Sequence, residues 1–236
     1  MTWQLDLHRD IVARLPEAAE VRVAGSASTP HLLDGWSDLD LRLTLHRGLL
    51  LSDVVGSNQV WAMEETVTSQ SQVLRIIFED GRWLDLAVDG PGRIQSPILQ
   101  DSNSFRFVAA LAVVKLGRND RLIGLHLVLE LWRSCLVQAM LLRDRDSGTS
   151  VHRHGTNRDA MADDLTKLAA LSPALTPRPN VVERTAAVYD RWHQELDPDY
   201  QPDWSGLSAL LERGLGRVRP AIRTCRRSRT GYGSAE

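Results

Sequence analysis

Asp38 and Asp40 stand two residues apart in the run DLDLRLTL, where leucines alternate with polar residues as they do along a half-buried strand. Side chains two apart on a strand point to the same face, so the spacing predicts both carboxylates on one side of a sheet. Adjacent carboxylates repel unless something positive lies between them, which makes a bound metal ion the first chemistry to consider. Asp85, in the alternating run RWLDLAV, supplies a third acid, and a strand neighbouring DLDLRL would carry it alongside the first two. Three carboxylates on one face form an oxygen-rich site suited to Mg2+, which leaves coordination positions for phosphate oxygens and water. Gly25 and Ser26 close the earlier run EVRVAGS. There a glycine permits a sharp turn, and the serine offers a hydroxyl and an amide to a phosphate if a helix begins beyond it. Each of these residues alone is an ordinary structural feature; their combination points to a phosphorylated ligand held through Mg2+.

The elements that must position them fall into two halves. Residues 5–19 carry leucines at helical spacing, and EVRVAG reads as a short strand. SASTPHLLDGW is rich in turn formers and in residues able to start a short helix. DLDLRLTL, VWAMEETVT, QVLRIIFED and RWLDLAV follow as strands, the last two joined at Asp80-Gly81, a strong tight-hairpin signal. After DGPGRIQSP the pattern changes to long helical periodicity, with helices expected over residues 104–117, 120–146, 157–171, 179–196 and 205–217. The fold class expected is therefore α+β: a small mixed sheet with a helix or two on one face over residues 1–100, then an antiparallel helical bundle over residues 101–220. The arginine-rich end, residues 221–236, reads as a disordered tail.

The sequence GS, then DLD, then LDLAV resembles the nucleotidyltransferase superfamily that includes DNA polymerase β, over residues 21–89. The continuation RIIFEDGRWLDL, followed by a helical half, resembles the antibiotic-modifying branch: aminoglycoside adenylyltransferases of the streptomycin 6-type and lincosamide nucleotidyltransferases. The resemblance implies that Gly25 and Ser26 hold a nucleoside triphosphate, with ATP expected, and that Asp38, Asp40 and Asp85 bind the metal. It also implies a basic residue reaching the phosphates from the helical half. Lys115 and Arg118, in AVVKLGRND, are the candidates, and a cation at a helix C-terminus equally serves the helix dipole. Glu130, with His126 one turn before it, is a candidate base for the acceptor hydroxyl, against the plain alternative of an ion pair with Arg133. The activity implied is transfer of a nucleoside monophosphate to a hydroxyl of a small antibiotic, with release of pyrophosphate. Transfer of AMP to a protein side chain and a non-catalytic, antitoxin-like module are the rival readings. An aminoglycoside would call for an acidic pocket and a lincosamide for a more mixed wall; residues 183–203 and the seven tryptophans leave both open.

Bulk properties narrow the classes. The 236 residues are 43% hydrophobic and 25% charged with a net charge of −2, which offers no excess of positive charge for general nucleic-acid binding. No apolar run is expected to span a membrane, the N-terminus lacks a secretory pattern, and a cytoplasmic location is expected. A homodimer is left open. The two cysteines, Cys135 and Cys225, give no basis for a disulfide framework. His152 and His154, in VHRHG, lack further ligands at zinc spacing. Trp36, beside the acidic run, is a candidate for stacking on a base, with core packing as the expected role of most tryptophans.

Overall fold

The computed structural model describes residues 3–15, 20–28, 33–170 and 179–216. The fold is α+β, with a small mixed sheet followed by an α-helical region. Helix α1 (Trp3–Arg14) precedes β1 (Glu20–Ala24), and a 3-10 turn over Gly25–Ser28 ends that strand. Next come β2 (Leu39–Thr44), the short pair β3 (Leu49–Leu50) and α2 (Leu51–Val55), then β4 (Val60–Val67), β5 (Ser71–Phe78), β6 (Trp83–Asp89) and β7 (Ile94–Gln95). Helices α3 (Asn103–Gly117), α4 (Arg121–Ser147), α5 (Ala162–Ala170), α6 (Pro179–Leu196) and α7 (Ser205–Gly214) make the second half. The tail reading for residues 221–236 lies outside the described residues, as does Cys225.

The main sheet runs β1-β2-β6-β5-β4, with β2 and β6 parallel and every other pairing antiparallel. Strand alternation sorts its two faces. Leu39, Leu41 and Leu43 of β2 and Leu84, Leu86 and Val88 of β6 are buried against Leu7 and Ile11 of α1 and Val54 of α2. A one-residue slip would turn all of these leucines toward the opposite face, so the apolar pattern fixes the register of the central pair. The opposite face carries Asp40, Asp85 and Arg75, and at one end of it Trp61, Ile77 and Trp83 join the helical core formed by α3, α4, α6 and α7.

Two departures from the sequence expectations have physical causes. α2 and the two-residue strands β3 and β7, which pair in parallel, are too short to show a period in sequence. The expectation that no apolar run approaches a membrane span is corrected: α4, with 27 residues, is long and apolar enough to cross a bilayer by length and composition. Its inner face, including Leu127, Val128, Leu131, Cys135 and Leu142, packs in the helical core, and a third of the apolar stretch is buried.

The Asp80-Gly81 hairpin does more than reverse the chain. Gly81 adopts φ +74°, and a Cβ there would run into the backbone of α7 at Ala209 and Leu210, while Arg213 donates from Nη2 to the Asp80 carbonyl at 2.7 Å. The turn that aligns β5 with β6 is thus seated on the last described helix. Replacing Gly81 by Val combines left-handed strain with this clash, at a cost of about 1–3 kcal/mol or more. We expect the thermal midpoint to fall by roughly 2–12 °C; an unchanged midpoint by circular dichroism would show that the hairpin does not depend on α7.

Candidate active site

Cross-strand register builds the site. In the parallel β2–β6 pair, Asp40 lies directly opposite Asp85, and Ala24 of β1 lies opposite Asp40 on the other side. Asp38 precedes β2 rather than lying in it, yet its carboxylate joins the other two: one oxygen from each of Asp38, Asp40 and Asp85 lies within 4.8 Å of the others. Among the described residues this is the one group of three or more acidic, histidine or cysteine side chains so arranged. All three acids are half-buried, shielded enough to strengthen their interactions and open enough for a ligand to reach them.

Gly25 stands where the sequence reading placed it, at the end of β1 with φ +57°. A Cβ at this position would overlap the Asp40 carboxylate. The glycine therefore lets the β1 turn close over Asp40, and the 3-10 turn that begins there contains Ser26. Ser28 donates its hydroxyl to the Gly25 carbonyl at 2.7 Å, holding this turn together.

Asp85 is the most perturbed member. Burial, followed by the charges of Asp38 and Asp40, pushes its carboxyl up to about 6, against the opposing pull of a hydrogen bond from Trp83 and the charge of Arg75. Trp83 donates Nε1–H to Asp85 Oδ1 at 2.6 Å. Arg75 lies opposite Asp85 in the β5–β6 register, with Nε 3.8 Å from Oδ2 and Nη1 donating to Glu64 at 3.1 Å. Sequence reasoning passed over both residues, although each had a signal. Trp83 stands two before Asp85 on one strand, hence on the same face, and counting back from the hairpin sets Arg75 across from Asp85.

Asp38 owes its position to the helical half. Asp34, four residues before it, accepts from Arg118 at 3.0 and 3.2 Å, from the Trp36 amide at 3.0 Å and from the Ser37 hydroxyl at 2.8 Å. The Arg118 pair holds the Asp34 carboxyl below its usual range, with Ser37 and the Trp36 amide adding to the effect. Trp36 is buried, with its indole against Gly117 at the end of α3 and Gly214 at the end of α7, so close that a Cβ at either glycine would overlap the ring. Trp36 is a core anchor, and the structure places Arg118 on the loop before Asp38. Lys115, in the last turn of α3, has its Nζ 3.8 Å from Asp120.

Glu130 is not among the clustered acids. It is exposed on α4 and lines a groove of about 340 Å³ with Asp101, Arg133, Gln138 and Tyr189, a lining that includes none of the three acids. His126 is also exposed on α4. An ion pair with Arg133, the alternative to a catalytic role for Glu130, is absent from the ion pairs of the described residues. His152 pairs with Asp144 at 2.6 Å and belongs to no metal-binding group among the described residues.

Comparison with known proteins adds a loose likeness. No family model and no curated protein sequence matches the chain. Among solved structures it is similar to an aminoglycoside 6-adenyltransferase from Bacillus subtilis, at 13% identity over 92% of this chain and 98% of that one, with a TM-score of 0.31. An overlap this loose assigns nothing; the chemistry of the site is read from its own geometry.

The donor set fits a hard divalent cation: three carboxylates of adjacent chain segments, with no histidine or cysteine among them. The raised carboxyl of Asp85 gives a test. Its pKa in the fold lies above its ordinary value of 3.8, so its stabilising contribution is complete below about pH 4 and is lost as pH rises through about 6, when a third negative charge forms. At about 1.4 kcal/mol per pKa unit the loss is of order 3 kcal/mol. Asp85→Asn, which mimics the protonated acid, should melt higher than the parent chain above pH 6 without divalent cations. Adding Mg2+ should raise the midpoint of the parent alone. Parallel melting curves for the two proteins from pH 4.5 to 8, with and without Mg2+, would overturn the assignment.

Proposed function

We propose that the chain is a Mg2+-dependent nucleotidyltransferase that moves a nucleoside monophosphate, with ATP as the expected donor, to a hydroxyl of a small antibiotic such as an aminoglycoside or lincosamide. The observation that carries this reading is the convergence of Asp38, Asp40 and Asp85 beside the Gly25 turn. Carboxylates supply the metal end of such a site, and a glycine-led turn with Ser26 supplies room and donors for a polyphosphate. In this proposal residues 1–100 form the catalytic unit and residues 101–220 a helical unit that completes it.

Asp38, Asp40 and Asp85 are the residues that would hold Mg2+. When bound, the ion neutralises phosphate charge and makes the acceptor hydroxyl more acidic. The remainder is work for the chain. The Gly25–Ser28 turn orients the triphosphate over the sheet edge, and the β2–β6 register keeps the acceptor side and the nucleotide side of the cluster at fixed separation. The acceptor oxygen then attacks the α-phosphorus; a new P–O bond forms as the bond between the α-phosphorus and its bridging oxygen to the β-phosphorus breaks. Pyrophosphate leaves, and the hydroxyl proton passes to solvent by way of the Asp85 carboxylate. Trp83 holds that carboxylate by Oδ1, which fixes its orientation. No covalent intermediate with the protein is required, so catalysis rests on positioning and charge neutralisation.

The test is pyrophosphate release from purified protein with Mg2+, each labelled nucleoside triphosphate and a panel of aminoglycosides and lincosamides, with the modified antibiotic identified by mass. Asp38→Asn and Asp40→Asn should each lower turnover by about 100-fold or more, in keeping with the loss of a metal ligand or a main electrostatic contact. Full turnover in either variant would reject the metal assignment. Pyrophosphate release with a protein acceptor, and with no antibiotic, would replace the acceptor class.

A further inference from the structure

Between the start of α3, the middle of α4 and α6 lies a groove of about 340 Å³ whose lining includes Asp101, Phe105, Glu130, Arg133, Val137 and Tyr189. Its framework is fixed at the sheet: the Asn103 side chain donates to the Met63 carbonyl at 2.8 Å and accepts from the Met63 amide at 2.9 Å, which seats the first turn of α3 on β4. The lining carries both signs of charge. The side chains of Asp101, Glu130 and Arg133 make no hydrogen bond or ion pair among the described residues, but solvated charges alone do not make a site. Tyr189 is the deciding residue. Only 4% of it is exposed, its ring stacks on Phe105 at 3.9 Å and on His193 at 5.2 Å, and Tyr200 meets it edge-on. Its hydroxyl has no hydrogen-bond partner among the described residues, although a buried tyrosine ordinarily has one. That oxygen is not among the fully enclosed polar atoms lacking a partner, so the little surface Tyr189 keeps includes it, and that surface opens on the groove. Burial, followed by Cys135, Asp190 and Asp101, pushes the phenol up to about 12, which keeps it a neutral donor at physiological pH.

We propose that this groove binds a small zwitterion of amino-acid size, with its ammonium group toward Asp101 and Glu130 and its carboxylate toward Arg133 and the Tyr189 hydroxyl. The mixed lining selects that class. A simple amine would bring a like charge beside Arg133, and a simple anion would meet two carboxylates; a ligand with one group of each sign opposes every charge on the wall. Arginine and a phenol are well suited to a carboxylate, the first as a fork of donors and the second as a single one. Phe105 and Val137 offer apolar contact for the rest of the molecule. The groove contains none of Asp38, Asp40 and Asp85, so the proposal does not rest on nucleotidyl transfer.

Saturation-transfer NMR on the full chain, without nucleotide or Mg2+, would screen the proteinogenic L-amino acids one by one. At least one should bind, with a Kd of roughly 0.1–5 mM for a ligand of this size. Its N-acetyl form, which lacks the ammonium charge, and its carboxamide, which lacks the carboxylate, should each bind at least five-fold more weakly. Asp101→Asn, Glu130→Gln and Arg133→Gln should each weaken the free amino acid by a similar factor. Tyr189→Phe, which keeps the stacked ring and removes only the hydroxyl, should weaken it about three- to ten-fold, with an unchanged melting midpoint showing that the ring still packs. Absence of binding by every amino acid at about 10 mM would overturn the proposal. So would binding indifferent to the four substitutions. A carboxamide that binds as tightly as the free acid would also overturn it, in favour of a site for organic cations.

Discussion

Three carboxylates within 4.8 Å of one another repel, and the fold has to hold them together against that repulsion. The restraint comes from the far side of the sheet. The leucines of β2 and β6 face α1 and α2 in an unbroken alternation, so that moving Asp40 and Asp85 apart along the strands would drag buried apolar side chains out of register. Fully burying one leucine is worth about 1.5–3 kcal/mol, and several such residues act together. Burial, and after it the neighbouring charges of Asp38 and Asp40, push the Asp85 carboxyl up to about 6. A close ion pair depresses a carboxyl, as Arg118 does at Asp34; at Asp85 burial outweighs the opposing pull of Trp83 and Arg75 and raises it.

A second restraint reaches the site from the helices. Asp38 lies outside β2, so strand register alone does not set its position. Trp36 is clamped between the ends of α3 and α7, and Asp34 gathers Arg118, Ser37 and a backbone amide onto one carboxylate. The helical half therefore acts on the site through the loop that ends at Asp38, and the hairpin seated on α7 acts through β6. Sheet and helices each fix part of the same cluster, even though their apolar cores are built from mostly separate residues.

Much of this was legible in the sequence because it rests on period and spacing. The alternation in DLDLRLTL and RWLDLAV gave the strands and the shared face of the acids, Asp80-Gly81 gave the hairpin, and the long helical patterns gave α3, α4, α6 and α7 to within a few residues, whereas the helix expected from residue 157 opens as a 3-10 turn over Asn157–Met161 before α5 begins at Ala162. Parity held even for Asp38, which shares the side of Asp40 without sharing its strand. What escaped lay in partners distant along the chain. Trp36 reads equally as a stacking platform or a core residue until Gly117 and Gly214 are seen against its ring. Arg118 reads as a phosphate ligand until Asp34 is seen to occupy it, 84 residues away. Glu130 interrupts an apolar helix, and periodicity does not say which face of that helix looks toward the carboxylates.

That last ambiguity comes from α4 itself. An amphipathic helix declares its inner face by contrast, but α4 is apolar on both sides, and its hydropathy is indifferent to which side is buried. The contrast that remains is in charge: Glu130 and Arg133 line the groove beside Asp101 and Tyr189, with Leu131 and Cys135 on the inner face. The path from that outer face to the acids is indirect, through α3, whose end at Gly117 abuts Trp36 and whose next residue, Arg118, holds Asp34. Events on the outer face of α4 are thus separated from Asp38 by a packed helix and an anchored loop. Close-packed elements of this kind transmit a shift only when a whole element moves.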